Sequence, residues 1–514
     1  ENAKYITVAG LHKRAQRFFD ALHGKISIQE AKEKILTTRN KDYCLIYSLI
    51  PLRDEKDQQE RYLFFTEFLR ESKKYGAQRQ LSERRTVDIA FENLARNAGY
   101  EDTDLFIYEM ESKDLRVIQM YEEGVSAEGY TLKLVLSEGK VKVQIAGQNG
   151  KLIQKLPASL AKNQAAEEIL ACRKSEESKR IRLKKLLEQS MEEQKEFSFE
   201  QICTITRQPL IRSFFEKLIL TDGRSAFVFR EGSILDLQTK SPAQGGKFTI
   251  AHPVTLQKTS MLREAMKYVI ANDIRQPFKQ VFREMYLLSE GERNAEEVLR
   301  FKGFNVNLKR AVAALKNRGW GVSEDIGLRK VYYRQNTVAA VFREFDYYYI
   351  YDFDNEDREL ESVLFLERKS ADILPLAKID PIVFSETLRD VDLIVSVSVN
   401  NVYDYELSMS TIEMRRAMVE SIVGILGLQN ISFLKENVKV EGTYGTYIVN
   451  IRTGLVFKEG RGNLLLKTID NYDKPLALDF IDEDPVTADI VTKLLVLSND
   501  AAIRDGNILD EIRK

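Results

Sequence analysis

Thr131-Leu132-Lys133-Leu134-Val135-Leu136-Ser137-Glu138-Gly139-Lys140-Val141-Lys142-Val143-Gln144-Ile145 is the stretch that decides the fold. Residues 131–136 alternate with period two, a Gly-containing turn follows, and 141–145 return the chain. That pattern predicts an antiparallel hairpin. Upstream the texture is helical: Ile28, Ala31 and Ile35 recur at helical spacing, as do Val87, Phe91 and Leu94, and Asn97-Ala98-Gly99 supplies a stop. Leu105-Phe106-Ile107-Tyr108 reads as a strand. Downstream, Leu156-Pro157 ends the β section and a charged helix is predicted over 159–195, with Ile181, Leu183, Leu186, Leu187 and Met191 as its apolar stripe.

The same alternation of hairpins and helices continues. A helical pair over 197–220 breaks at Pro209, and a second hairpin turns at Arg230-Glu231-Gly232. A short strand leads into Ala251-His252-Pro253, and two helices flank Gln276-Pro277, where proline suits a first helical turn. From Arg329 the chain reads as strands, including Tyr347-Tyr348-Tyr349-Ile350-Tyr351 and 362–366. A helix around 385–390, a strand over 393–399, a helix over 411–427, a β-meander over 444–466 and a last helix over 487–497 complete it. Hairpins and helix pairs in place of regular βαβ units argue for a multidomain α+β protein and against a doubly wound sheet. The expected divisions are a helical region 1–103, a mixed domain 104–320, a β-rich segment 321–374 and a C-terminal α+β domain 375–514.

Composition narrows the class. At 514 residues the chain is long enough for about three or four domains. With 44% hydrophobic and 30% charged residues it has the make-up of a globular protein, and no run approaches the roughly 18 apolar residues of a membrane span. Glu1 with no leader behind it reads as a fragment whose natural start lies upstream. The widely separated Cys44, Cys172 and Cys203 build neither a disulfide framework nor a zinc spacing, which favours a reducing cytoplasm. The 77 basic and 78 acidic side chains balance, which lowers the expectation of a phosphate-backbone partner.

Four sets of polar residues could carry chemistry. His252, before Pro253, reads first as a structural cap and second as a general acid or base. Gln276, Gln280 and Arg283 could share one helical face. That face is either a buried polar network or a binding site in which the Arg283 fork clamps phosphate or carboxylate. Glu386, Arg389 and Asp390 lie at helical spacing, with Asp392 beyond. Arg389 reads as the neutralising partner of a carboxylate, and Asp390 with Asp392 as a weaker magnesium candidate. The tyrosine run is flanked by Asp346, Asp352 and Asp354, which suits a packed strand or protein-binding face better than a nucleic-acid platform. No P-loop, dinucleotide fingerprint, Gly-x-Ser-x-Gly elbow or Cys–His pair occurs. No cofactor is expected.

Two segments, Gln276-Pro277-Phe278-Lys279-Gln280-Val281-Phe282-Arg283-Glu284-Met285-Tyr286 and Ile379-Asp380-Pro381-Ile382-Val383-Phe384-Ser385-Glu386-Thr387-Leu388-Arg389-Asp390-Val391-Asp392, resemble the MolR-like family of large bacterial proteins, which often carry WGR modules. Ile250-Ala251-His252-Pro253, Arg318-Gly319-Trp320, the 494–500 segment and Ile508-Leu509 are similar to further family elements, so that the resemblance covers about residues 80–320 and 375–512. Two departures stand out. Asn400-Asn401-Val402-Tyr403-Asp404-Tyr405 replaces the usual Gly/Asn/Asp/Pro-rich loop, and no WGR module is present, which weakens any borrowed nucleic-acid role. The resemblance implies a cytoplasmic protein without established chemistry, associated with MoxR-type AAA+ ATPases and von Willebrand A-type proteins. The expected function is a non-catalytic adaptor in such a system. The alternatives are an enzyme using Arg283, His252 and the Glu386/Asp390/Asp392 carboxylates on a phosphate-bearing or nucleotide substrate, and a nucleic-acid-associated protein.

Overall fold

The protein is described from a computed structural model covering residues 9–100, 102–137, 139–316, 318–323, 327–342, 357–398, 409–464, 466, 485–504 and 506–513. It is a multidomain α+β protein that opens with helices and continues in small antiparallel sheets. The chain divides into two units: Glu1–Ser137, Val141–Lys174 and Gln201–Arg212 form one, and Glu138–Lys140, Ser175–Glu200 and Ser213–Lys514 the other.

The first unit starts with α1 (Ala9–Leu22), α2 (Ile28–Thr38), α3 (Lys41–Leu49), α4 (Glu55–Ser72), α5 (Ala77–Asn97), α6 (Thr103–Ser112) and α7 (Leu115–Glu122). Five of these starts are set by side-chain caps: Ser27, Asn40, Asp54, Asp102 and Asp114 each accept a bond from a first-turn amide. Ile35, Ile46, Phe65, Val87, Leu94 and Phe106 are buried in one core. The expected strand at 105–108 is helix α6 instead. The Asp102 carboxylate accepts from the Asp104 and Leu105 amides, and the four apolar residues pack as a buried helical turn. A short apolar run does not distinguish a buried helix from a strand by periodicity. The hairpin that opened the reading lies in a four-stranded antiparallel sheet of β1 (Val125–Ala127), β2 (Tyr130–Ser137), β3 (Lys140–Ala146) and β4 (Leu152–Ile153). A 3₁₀ turn at Ala158–Lys162 then precedes α8 (Gln164–Glu192), so the charged helix is slightly shorter than expected.

In the second unit, β5 (Glu196–Ser198), β6 (Ile219–Thr221), β7 (Ala226–Arg230), β8 (Ser233–Asp236) and β9 (Lys247–Ile250) form an antiparallel sheet in the order β5-β9-β6-β7-β8. The helical pair expected before it in the chain is present as α9 (Phe199–Ile205) and α10 (Pro209–Phe215), whose residues 201–212 belong to the first unit, and α11 (Pro253–Lys258) and α12 (Leu262–Ala271) follow the sheet. No helix begins at Pro277: residues 276–286 form an irregular segment whose backbone is held by side chains. A second antiparallel sheet runs β10-β16-β14-β13-β12, from β10 (Glu297–Val298), β12 (Trp320–Ser323), β13 (Gly327–Tyr332), β14 (Thr337–Val341) and β16 (Val363–Glu367). A pair, β11 (Asn305–Asn307) with β15 (Asp357–Glu359), and α13 (Leu308–Lys316) accompany it.

Helix α14 (Pro381–Ser398) packs its Val383, Leu388, Val391 and Ile394 into the core of that sheet. It therefore absorbs 393–398 of the strand expected over 393–399. Burial against the sheet overrides the β preference of this Val/Ile run. A final meander of β17 (Ile431–Phe433), β18 (Asn437–Glu441), β19 (Thr446–Asn450), β20 (Val456–Lys458) and β21 (Gly462–Leu464) packs with α15 (Met409–Leu426), α16 (Pro485–Ser498) and α17 (Gly506–Arg513). Helix α17 was not expected. The tyrosine run 347–351 and the segment 400–405 lie outside the described residues. Among the described residues no helix is long and apolar enough to cross a membrane.

Candidate functional site

Asp380 begins the site by capping α14: its Oδ1 accepts from the Ile382 and Val383 amides at 2.8 and 3.2 Å. Pro381 in the first turn lacks an amide hydrogen that would need a partner there. The helix then carries Glu386, Arg389 and Asp390 inward, with side chains 1, 9 and 1% exposed. Carboxylates so deeply buried must be matched by donors.

Arg283 meets Glu386 with both edges of its fork. Its Nε donates to Oε1 at 2.8 Å and a terminal nitrogen to Oε2 at 2.6 Å. The remaining donors reach Glu188 at 2.6 Å, Glu192 at 2.7 Å and the Lys279 carbonyl at 3.2 Å. His252 lies against the same carboxylate, its Nε2 3.0 Å from Oε1. The Val254 amide donates to Nδ1 at 3.2 Å, so the ring proton sits on Nε2 and is given to Glu386. Burial lowers the His252 pKa, outweighing the pull of Glu386, and the ring is neutral. Burial disfavours the Glu386 charge, but Arg283 and His252 more than offset it and hold the group well below the usual carboxylate range.

Two further clusters complete the network. Glu284 is burdened by burial, yet Lys279 and Arg389 bring it down to about 2; Arg389 Nε donates to it at 2.9 Å and Lys279 forms the other ion pair. Asp390 accepts from Trp320 Nε1 at 2.8 Å, Lys330 at 3.1 Å and Arg318 at 3.1 Å. Lys330 also reaches Glu192 at 3.4 Å. Glu192 is raised to about 7, by burial first, with Glu386 and Asp390 adding to the rise against Lys330 and Arg283. The result is one connected network of hydrogen bonds and ion pairs: Lys279, Glu284, Arg389, Glu386, Arg283, Glu192, Lys330, Asp390 and Arg318, with Glu188 attached to Arg283.

The structure therefore brings together His252, Arg283, Glu386, Arg389 and Asp390, from both segments singled out in the sequence. It places Gln276 and Gln280 elsewhere. Gln280 accepts from the Ile219 amide at 3.0 Å and donates to the Ile219 and Ala251 carbonyls at 2.7 and 2.9 Å, closing the ends of β6 and β9. Gln276 donates to Gln280 and to the Lys217 carbonyl. These two glutamines brace backbone and share no helical face with Arg283. Asp392 accepts from the Tyr286 hydroxyl at 2.6 Å, away from the partners of Asp390. Among the described residues no group of three or more His, Cys, Asp or Glu is arranged to hold a metal ion.

Several participants were not anticipated. Glu188 and Glu192 sit among the many charges of α8, although they flank the buried Leu187 and Met191. Lys330 sits in a strand between buried Leu328 and Tyr332, and this inward-facing alternation was the available signal. Trp320 carries a donor that needs an acceptor when buried, which pointed to a nearby carboxylate. Chemically, the arrangement holds a neutral imidazole on a carboxylate and a fork-bound arginine. It has the parts of acid–base machinery, with His252 and Glu386 0 and 1% exposed.

Three family models match parts of the chain. Residues 1–110 match a family of unknown function (DUF5724), 150–320 a domain of unknown function (DUF4132), and 412–512 another (DUF7737). His252, Gln276, Gln280 and Arg283 fall within the second match, and α14 falls between the second and the third. No curated protein and no solved structure matches the chain.

Proposed function

We propose that this chain is a non-catalytic interaction component, an adaptor that works with a MoxR-type AAA+ ATPase and a von Willebrand A-type protein in the bacterial cytoplasm. The observation that carries the non-catalytic part is the closed network. Arg283 is bonded to Glu386, Arg389 to Glu284 and Asp390 to Lys330, so that the groups an enzyme would have to offer to a substrate are bonded within the fold. The identity of the partners rests on the MolR-like resemblance of the 276–286 and 379–392 segments. The cytoplasmic placement rests on that resemblance and on the sparse, widely spaced cysteines.

The nucleic-acid alternative draws no support from α8. There Lys179 pairs with Glu176 at 3.0 Å and Arg180 with Glu177 at 2.7 Å, as on a self-compensated helix face. The test is capture of the tagged protein from lysate of its native host, with and without ATP, followed by mass spectrometry. Recovery of an AAA+ ATPase or a von Willebrand A-type protein, changing with nucleotide, supports the adaptor. Recovery of neither, with a co-purifying small substrate or with nucleic acid that salt removes, overturns it.

A further inference from the structure

A cavity of about 560 Å³ lies in the second unit between α11, α12, α15 and the chain from Val281 to Arg300. It is half open to solvent. Its floor is made by Leu262, Met266, Val281 and Met418, all at most 7% exposed, and Arg283 and Tyr286 also line it. Its rim carries Gln257, Leu287, Ser289 and Ser421, and Leu287 is 48% exposed. A buried apolar floor beneath a few polar rim groups is the usual construction of a small-molecule site, and the volume is in the range such sites occupy.

Charge and sulfur define what would fit. The charged rim pair cancels, because Arg300 Nε donates to Glu292 Oε1 at 2.6 Å. The lining Arg283 is engaged by Glu386, Glu188 and Glu192. A charged ligand would leave its hydration shell and find no opposite charge to replace it. Three lining residues, Met266, Met285 and Met418, present thioethers, which pack favourably against aromatic rings and adapt to irregular shapes. Polar groups for one end of a ligand stand at the rim in Gln257 and Ser421. We propose that this cavity is a binding site for a neutral, ring-bearing small molecule, entered past α15. The proposal is independent of the adaptor reading, since it rests on the cavity alone.

The test uses the full chain and the neutral fluorescent probe N-phenyl-1-naphthylamine, with the anionic 8-anilinonaphthalene-1-sulfonate as comparison. Ala417 lines the mouth and is exposed, so Ala417→Trp obstructs entry without disturbing the core. Ser421→Trp, one turn further along α15, provides a second obstruction should the first variant fold poorly, as judged by circular dichroism. The expected result is saturable binding of one neutral probe per chain, weakened at least about tenfold by either tryptophan, with the sulfonate at least about tenfold weaker on the wild type. Absence of saturable binding, binding unchanged in a folded tryptophan variant, or equal affinity for the sulfonate overturns the proposal.

Discussion

Removing the Glu386 carboxylate is the perturbation whose consequence follows most fully from the geometry. Glu386 accepts two bonds from Arg283 and one from His252 while 1% exposed. Breaking a buried pair from one side costs about 3–5 kcal/mol, chiefly because the surviving charge stays buried. In Glu386→Gln, Arg283 keeps Glu188 and Glu192, and the amide oxygen still accepts from His252, so the cost belongs at the lower end, about 3 kcal/mol. Arg283→Met leaves the Glu386 carboxylate with only the neutral His252 as a hydrogen-bond donor and Arg389 at 4.0 Å, and should cost about 4 kcal/mol. The double variant removes both charges and should lose less than the sum of the single losses by about 2 kcal/mol. Trp320, the only tryptophan, lies in the same unit and donates to Asp390, so its fluorescence during urea unfolding follows this region without assuming that the whole chain unfolds in one step. With a urea dependence of about 3 kcal/mol per molar, Glu386→Gln should lower the midpoint by about 1 M. A shift below about 0.2 M, or single losses that add within about 0.5 kcal/mol, would refute the claim that the two groups stabilise the fold as a coupled pair.

Three other outcomes follow. Glu192, raised to about 7, holds its proton in the folded protein at pH values where the unfolded chain has released it. Stability therefore falls as pH rises from about 4.5 to 7, by at most about 1.4 kcal/mol per pH unit, and Glu192→Gln, followed by urea midpoints across that window, should remove this component. His252, with its lowered pKa, acts in the opposite sense. It contributes stability above its unfolded value near 6.5 that is lost as pH falls, so the comparison must be made against wild type at each pH. Gln280→Leu should leave the Ile219 amide and the Ala251 carbonyl without their side-chain partner, at a cost of about 3 kcal/mol, and should speed hydrogen exchange at Ile219 by on the order of 100-fold. Gly327→Ala places a Cβ 1.7 Å from the Phe342 carbonyl oxygen at a backbone φ of +75°, forcing β13 and β14 apart; Trp320 fluorescence should report a loss above about 3 kcal/mol.

What the residues disclosed, and what they did not, has a physical pattern. Hairpins closed by Gly turns were legible because alternation and turn chemistry are local: β2 with β3 and β7 with β8 fall where those signals stood. The 105–108 and 393–398 runs misled because buried helices and strands share the same apolar residues, and only tertiary packing separates them. The α14 charges were visible as a helical cluster, and Arg389 as a neutralising partner. Their union with Arg283 and His252 was not visible, because those contacts span 103 and 134 residues of chain. Glu188 and Glu192 were hidden by their own neighbours: on a helix crowded with charge, two partly buried glutamates look like the exposed ones.

The central claim is that His252 and Glu386 are sealed within the fold and serve its integrity. Diethyl pyrocarbonate modification at pH 7, read by mass spectrometry at each histidine, tests this directly, because the reagent needs an accessible neutral ring nitrogen. Exposed His23 should react in the folded protein, whereas His252 should stay unmodified until urea passes the Trp320 transition. Modification of His252 in the folded protein at the rate of His23 would contradict the account and restore the His252–Glu386 pair as an active site.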